Sequence, residues 1–215
     1  MASNITEAEI REVVNQVLNR VSAESSNGYD STQYAGRKFI GIFDDMNDAI
    51  NAAQEGYKSV RAMTVEQREK IITEIRRLTR EEAHIMAQLG VKETGMGRVE
   101  HKKAKHLLVA DKTPGTEDIV SAAKTGDNGL TLVEMAPFGV VGAITPSTNP
   151  SETVICNSIG MIAAGNGVVF NPHPNALATS IYAVDFINRA SASVGGPQVL
   201  VASVVKPTLD TAQIM

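Results

Sequence analysis

The sequence predicts an α/β fold: a parallel β-sheet with flanking helices, preceded by a helical segment and an edge β-hairpin. Three observations carry this expectation. From residue 139 onward, short Val- and Ile-rich runs alternate with amphipathic stretches, a βαβαβ pattern whose crossovers demand parallel strands. Residues 44–111 hold an apolar period near that of a helix. Between the two regions, strand-like runs flank Gly126-Asp-Asn-Gly129, a good hairpin connection.

Bulk properties narrow the classes. At 215 residues, with 43% apolar and 20% charged residues, the chain is long enough for a sizeable core and one or two domains. A net charge of −4 without a basic stripe argues against nucleic acid as a partner. The basic cluster His101-Lys-Lys-Ala-Lys-His106 reads as a solvated helix face. A single cysteine, Cys156, excludes an internal disulfide and suits a cytoplasmic setting. No apolar run approaches the roughly 18 residues of a membrane span, and the N-terminus lacks a secretory pattern.

In chain order, Ile10, Val13, Val14, Val17, Leu18 and Val21 form an amphipathic stripe behind the capping box Thr6–Glu9, which predicts a helix within residues 1–21. Residues 22–36 form a polar linker. Isolated in this way, the helix reads as a tag for a groove on another protein, in preference to docking on its own domain. Residues 37–215 make the body. Met46, Ala49, Ile50, Ala53 and Tyr57 share one helix face. Thr64-Val-Glu-Gln67 opens a further helix carrying Ile71, Ile72, Ile75, Leu78 and Thr79, with Gly90, Gly95 and Gly97 expected to punctuate its end. Residues 113–135 hold the hairpin, which could cover a domain edge or pair with another subunit. Strands are expected at 139–145, 167–171 and 198–205, and helices at 150–164, 174–190 and from Leu209. That last helix meets Met215 without a stop signal, so a longer protein is expected.

Two turns at strand carboxyl ends are the candidate ligand positions: Thr145-Pro-Ser-Thr-Asn149 and Asn171-Pro-His-Pro174. Asn149 is a good N-cap, Pro150 suits the first helical position, and Glu152 completes a capping-box spacing. Helix N-termini beside one another could hold a ribose or phosphate. A Gly-x-Gly-x-x-Gly loop is absent. Cys156, mid-helix in an apolar run, reads as a core cysteine and not a nucleophile. His84 and His101 have no partners at metal-ligand spacing, so no metal site is expected.

Pro137-Phe-Gly-Val-Val-Gly-Ala-Ile-Thr-Pro-Ser-Thr-Asn-Pro150, with Ala164-Gly-Asn166 and Val168-Val-Phe-Asn-Pro-His-Pro174, strongly resembles the aldehyde dehydrogenase superfamily. Within it, the match is to the CoA-acylating propionaldehyde and acetaldehyde dehydrogenases of bacterial microcompartments. The resemblance runs from about residue 44 to 215 and implies a Rossmann-like, incomplete NAD-binding domain. It implies NAD-dependent oxidation of a short-chain aldehyde through a cysteine thiohemiacetal and thioester, with coenzyme A as co-substrate releasing acyl-CoA. Ile144, Thr145, Pro146 and Ser147 would line the nicotinamide half of the pocket; Asn171, His173 and Pro174 would lie near the adenosine ribose. Many relatives carry Lys where Asn171 stands and Glu near Pro174, so NAD versus NADP stays open. The family's oxyanion-hole position falls on Thr148 or Asn149.

Cys156 does not match the family's nucleophile motif, so the resemblance implies that the nucleophile lies outside this chain and that the 215 residues alone are inactive. The first 21 residues resemble an encapsulation peptide, implying shell or cargo proteins as partners and a place inside a bacterial microcompartment. A homo-oligomer built partly through residues 113–135 is also expected. Two alternatives are a non-catalytic cofactor-binding or assembly module, and the aldehyde half of a bifunctional aldehyde–alcohol dehydrogenase.

Overall fold

The computed structural model describes residues 39–215; the helix expected within residues 1–21 and the linker over 22–36 lie outside the described residues. Strand β1 (Ile42–Phe43) leads into helix α1 (Met46–Arg61), which Asp45 caps by accepting from the Asn47 N–H. Met46, Ala49, Ala53, Gly56 and Val60 form its buried stripe at three- and four-residue spacing. Helix α2 (Val65–Thr94) starts at the expected Thr64–Gln67 capping box, with both reciprocal bonds formed. It ends at Gly95, whose φ of 66° is the left-handed conformation that glycine adopts without a steric penalty. Gly90 does not punctuate this helix. It sits buried inside it, facing the stem of a lysine from the next helix.

Helix α3 (Val99–Lys112) follows and ends at Thr113, just ahead of Pro114-Gly115. Strands β2 (Ala122–Gly126) and β3 (Gly129–Val133) pair antiparallel across Asp127-Asn128, as the hairpin signal predicts. The hairpin is exposed throughout, including Leu130, Leu132, Val133 and Met135.

The remaining chain is the alternating unit: β4 (Val140–Thr145), α4 (Pro150–Ala163), β5 (Gly167–Pro172), α5 (Leu177–Ser193), β6 (Val201–Val204) and α6 (Leu209–Ile214). The strands assemble in the order β1-β6-β5-β4, all parallel. Helix α5 starts three residues later than expected, because Pro174–Ala176 form a separate 3-10 turn. Strand β5 is buried along its whole length, which explains its unbroken apolar run. Side chains alternate along it: Val169 joins Ala202, Val204 and the stripe of α1 in one core layer. Val168 and Phe170 therefore point to the opposite face, where α4 and α5 pack on the sheet and α2 packs on them.

One polar residue locks the distal edge. The Asn188 amide of α5 donates to the carbonyls of Ile40 and Val201 at 3.0 and 2.9 Å and accepts from the N–H groups of Leu200 and Val201 at 2.8 and 3.1 Å. Gly41, at φ 82°, passes so close that a Cβ there would overlap the Asn188 amide nitrogen and lie 2.5 Å from Val201 O. The short β1 is thus held by a buried amide as well as by its two ladder pairs.

Candidate active site

The parallel register of β4 and β5 matches Ile144 with Asn171 and Thr145 with Pro172, so both strands end together. The His173 N–H donates to Thr145 O at 3.0 Å, extending the ladder by one bond. The turns 145–149 and 171–174 therefore lie side by side at the carboxyl edge of the sheet, the usual position of a ligand crevice.

Within the first turn, Ile144 is 68% exposed, Pro146 and Thr148 are exposed, and Ser147 and Asn149 are half-buried. Thr145 is buried, and its Oγ1 has no hydrogen-bond partner among the described residues. In the second turn, His173 and Pro174 are exposed, and His173 Nδ1 accepts from the Asn175 N–H at 3.1 Å. Asn171 differs from its neighbours in being buried. Its Nδ2 donates to Thr208 O at 3.2 Å and its Oδ1 accepts from Thr211 Oγ1 at 2.8 Å, so the amide is used to dock α6.

The capping box expected at Asn149 and Glu152 does not form. Pro150 does open α4 and Asn149 occupies the cap position, but its side chain caps nothing. Asn149 Oδ1 instead accepts from Lys105 Nζ at 2.8 Å, a cationic donor that competes well with a backbone N–H. Glu152 turns inward, 4% exposed, with one oxygen 3.3 Å from Ser151 Oγ and the other 3.9 Å from Lys102 Nζ.

The solvated-face reading of the basic cluster also needs correction. His101 and Lys105 are exposed, but Lys102 and His106 are buried with Ala110 on the face that docks. Residues 102, 106 and 110 repeat at i, i+4, one side of a helix. Lys102 Nζ donates to Thr148 O at 2.8 Å, so a buried cation supports the turn from beneath. His106 Nδ1 lies 2.8 Å from Lys102 O, which can only accept; Nδ1 therefore carries the proton. Nε2, 2.8 Å from Ser151 Oγ, is then the acceptor of a neutral imidazole. Burial pushes the His106 pKa below its ordinary value and outweighs the nearby Glu152 carboxylate, which acts in the opposite direction.

Cys156 is exposed, contrary to the core reading. Val154, Ile155, Ser158, Ile159 and Ile162 take the inward face of α4, which leaves Cys156 and Gly160, one turn apart, outside. At the far end of that helix, Arg61, Arg68, Met135, Pro137 and Gly165 line a shallow cavity, remote from both turns. Among the described residues no cluster of three or more His, Cys, Asp or Glu could hold a metal, and no helix is long and apolar enough to cross a membrane.

Sequence reasoning missed Lys102, Lys105, His106, Ser151 and Glu152 as parts of one cluster. The spacing 102–106 was available as a signal; the pairing of that face with residues 148–152 across some 45 positions of chain was not.

A parallel α/β sheet with paired turns at its carboxyl edge defines a ligand-binding domain of the Rossmann-like class. The aldehyde dehydrogenase family model matches residues 39–215. An acetylating acetaldehyde dehydrogenase of Escherichia coli is 45% identical over 212 residues, covering 97% of this chain and 43% of the relative. A propionaldehyde dehydrogenase from the fucose utilisation microcompartment of Clostridium phytofermentans superposes with a TM-score of 0.80 at 62% identity, over 82% of this chain and 40% of that one. The Rhodopseudomonas palustris propionaldehyde dehydrogenase, solved with bound CoA and an acylated cysteine, gives 0.78 at 46% identity, over 81% and 40%. The chain belongs to the aldehyde dehydrogenase family. It spans less than half the length of these relatives.

His106 makes the domain acid-sensitive. Its folded-state pKa is depressed, so the unfolded chain binds a proton more readily. Stability contributed by the neutral ring is complete above the ordinary histidine value and is lost as pH falls through and below it. Denaturant midpoints between about pH 7.5 and pH 5.5 should fall for the native chain and fall less steeply for His106→Gln. Equal slopes would contradict the assignment.

Proposed function

We propose that this chain is the cofactor-domain part of an NAD-dependent, CoA-acylating aldehyde dehydrogenase acting on short-chain aldehydes. The observation that carries the reading is the pair of turns ending β4 and β5, one of which offers the amide of Asn149. The names of the relatives support the acylating branch over a bifunctional aldehyde–alcohol enzyme.

The residues fit a nicotinamide cofactor. Thr145 supplies an unpartnered buried hydroxyl, Ile144 an exposed apolar surface, and His173 an exposed ring whose Nε2 is unengaged among the described residues. Ile144, Thr145, Pro146 and Ser147 would hold the nicotinamide half, and His173 and Pro174 the ribose side. Asn171 acts there through the strand end and α6, since its amide is already committed. The bound cofactor supplies a hydride acceptor. The chain's own contribution to chemistry is a donor from Asn149 or Thr148 toward the oxygen that gains negative charge when a thiolate adds to the aldehyde. CoA would be admitted at the same edge. Cys156 is exposed and does not match the family's nucleophile motif, so it is not proposed as the nucleophile.

The domain plan proposed with this function is a helix within residues 1–21 for shell or cargo contact, a linker over 22–36, and the cofactor domain over 37–215. The exposed apolar hairpin within residues 113–135 would pair with another copy. The name of the C. phytofermentans relative supports a microcompartment setting.

In the full-length enzyme, aldehyde, CoA and NAD together should give acyl-CoA and NADH, and the 215-residue chain alone should give none. Asn149→Ala should lower kcat of the full-length enzyme by about 100-fold or more, the typical loss of an oxyanion donor, with a smaller effect from Thr148→Val. Activity of the isolated chain, or undiminished activity of Asn149→Ala and Thr148→Val alike, would count against the reading. Deleting residues 1–22 should abolish co-purification with microcompartment shells without loss of activity; retention in the shell would refute the targeting role.

A further inference from the structure

Helix α3 sends two lysines to consecutive residues of the turn after β4. The first is buried. The Lys102 stem runs beside two glycines: a Cβ on Gly90 would stand in ordinary contact with its Cδ at 3.7 Å, and one on Gly97 with its Cε at 3.5 Å. Its ammonium, 3% of the residue remaining exposed, donates to Thr148 O at 2.8 Å, with the Glu152 carboxylate 3.9 Å away. Burying a cation here is costly unless something fixes it, and the carbonyl and carboxylate do so.

The second lysine is exposed and acts on a side chain. Lys105 Nζ donates to Asn149 Oδ1 at 2.8 Å. An ammonium has donors only, so the amide oxygen must face it and Nδ2 must face away. Among the described residues Nδ2 reaches only Thr148 Oγ1, at 3.5 Å, and so keeps donor capacity. A cation on the amide oxygen also polarises the group and strengthens the opposite N–H as a donor. The peptide linking Thr148 and Asn149 is trans, so a carbonyl drawn toward Lys102 turns the Asn149 N–H to the other side.

We propose that Lys105 is a positioning residue for the reaction: it fixes the Asn149 amide, on a turn that Lys102 holds from below, with Nδ2 presented as the donor to the developing oxyanion. This rests on the proposed function and deepens it by selecting Asn149 over Thr148. A purely structural role, tying α3 to the start of α4, would affect stability without touching turnover.

Lys105 is exposed, so its variants are expected to fold. In the full-length enzyme, Lys105→Met should lower kcat about tenfold or more through misplacement of the donor. The KM for NAD should stay within roughly twofold, and Lys105→Arg should recover most of the rate. Wild-type kcat in Lys105→Met overturns the inference while leaving the enzyme assignment intact; an inactive native full-length enzyme overturns the assignment itself. In the 215-residue chain, the Asn149 side-chain amide resonances should move in Lys105→Met by more than those of Asn175. An unmoved Asn149 pair would overturn the clamp whatever the full-length enzyme does.

Discussion

The parallel pairing of β4 with β5 is the constraint on which the rest of the site depends. Its register, from Val140 opposite Gly167 to Thr145 opposite Pro172, makes both strands end at one level. A slip of one residue would turn every side chain of one strand to the other face and set the two turns at different levels. The pairing is held by burial. Strand β5 is covered on both faces, by α1 on one side and by α4 and α5 on the other, and its Gly167 passes so close to α1 that a Cβ would lie 2.7 Å from Ala53 O. Hydrophobic packing therefore sets where the turns are, and nothing in the turns themselves needs to.

What the turns need is orientation, and polar groups from outside the sheet supply it. Thr148 and Asn149 are anchored by α3, and Asn171 is anchored by Thr208 and Thr211 of α6. Buried polar groups of this sort specify a geometry more than they stabilise a fold. The Lys102–Glu152 pair, flanked by the neutral His106 and by Ser151, is the densest such group beside the candidate site.

The fold was readable in the sequence because its signals are local. Apolar periods marked α1 and the start of α2, Gly126-Asp-Asn-Gly129 marked the hairpin, and the βαβαβ alternation marked the sheet. The Thr64–Gln67 capping box formed because no competing partner reaches it, whereas the one at Asn149–Glu152 was overridden by lysines that lie 44 and 50 positions earlier in the chain. Gly90 and Cys156 failed for a related reason. A glycine looks like a helix stop until packing carries the helix past it, as Gly90 is packed beside Lys102 and Thr179, and a cysteine among apolar residues looks buried until the helix is rotated against the sheet. Local pattern gives the element; only the docked arrangement says which side of it faces in.

The proposed chemistry requires the nicotinamide cofactor to bind at the two paired turns. The most direct measurement is a titration of NAD into the 215-residue chain followed by backbone amide resonances. Shifts should concentrate at residues 144–149 and 171–174. Shifts confined to the opposite end of α4, around Arg68 and Gly165, would contradict it.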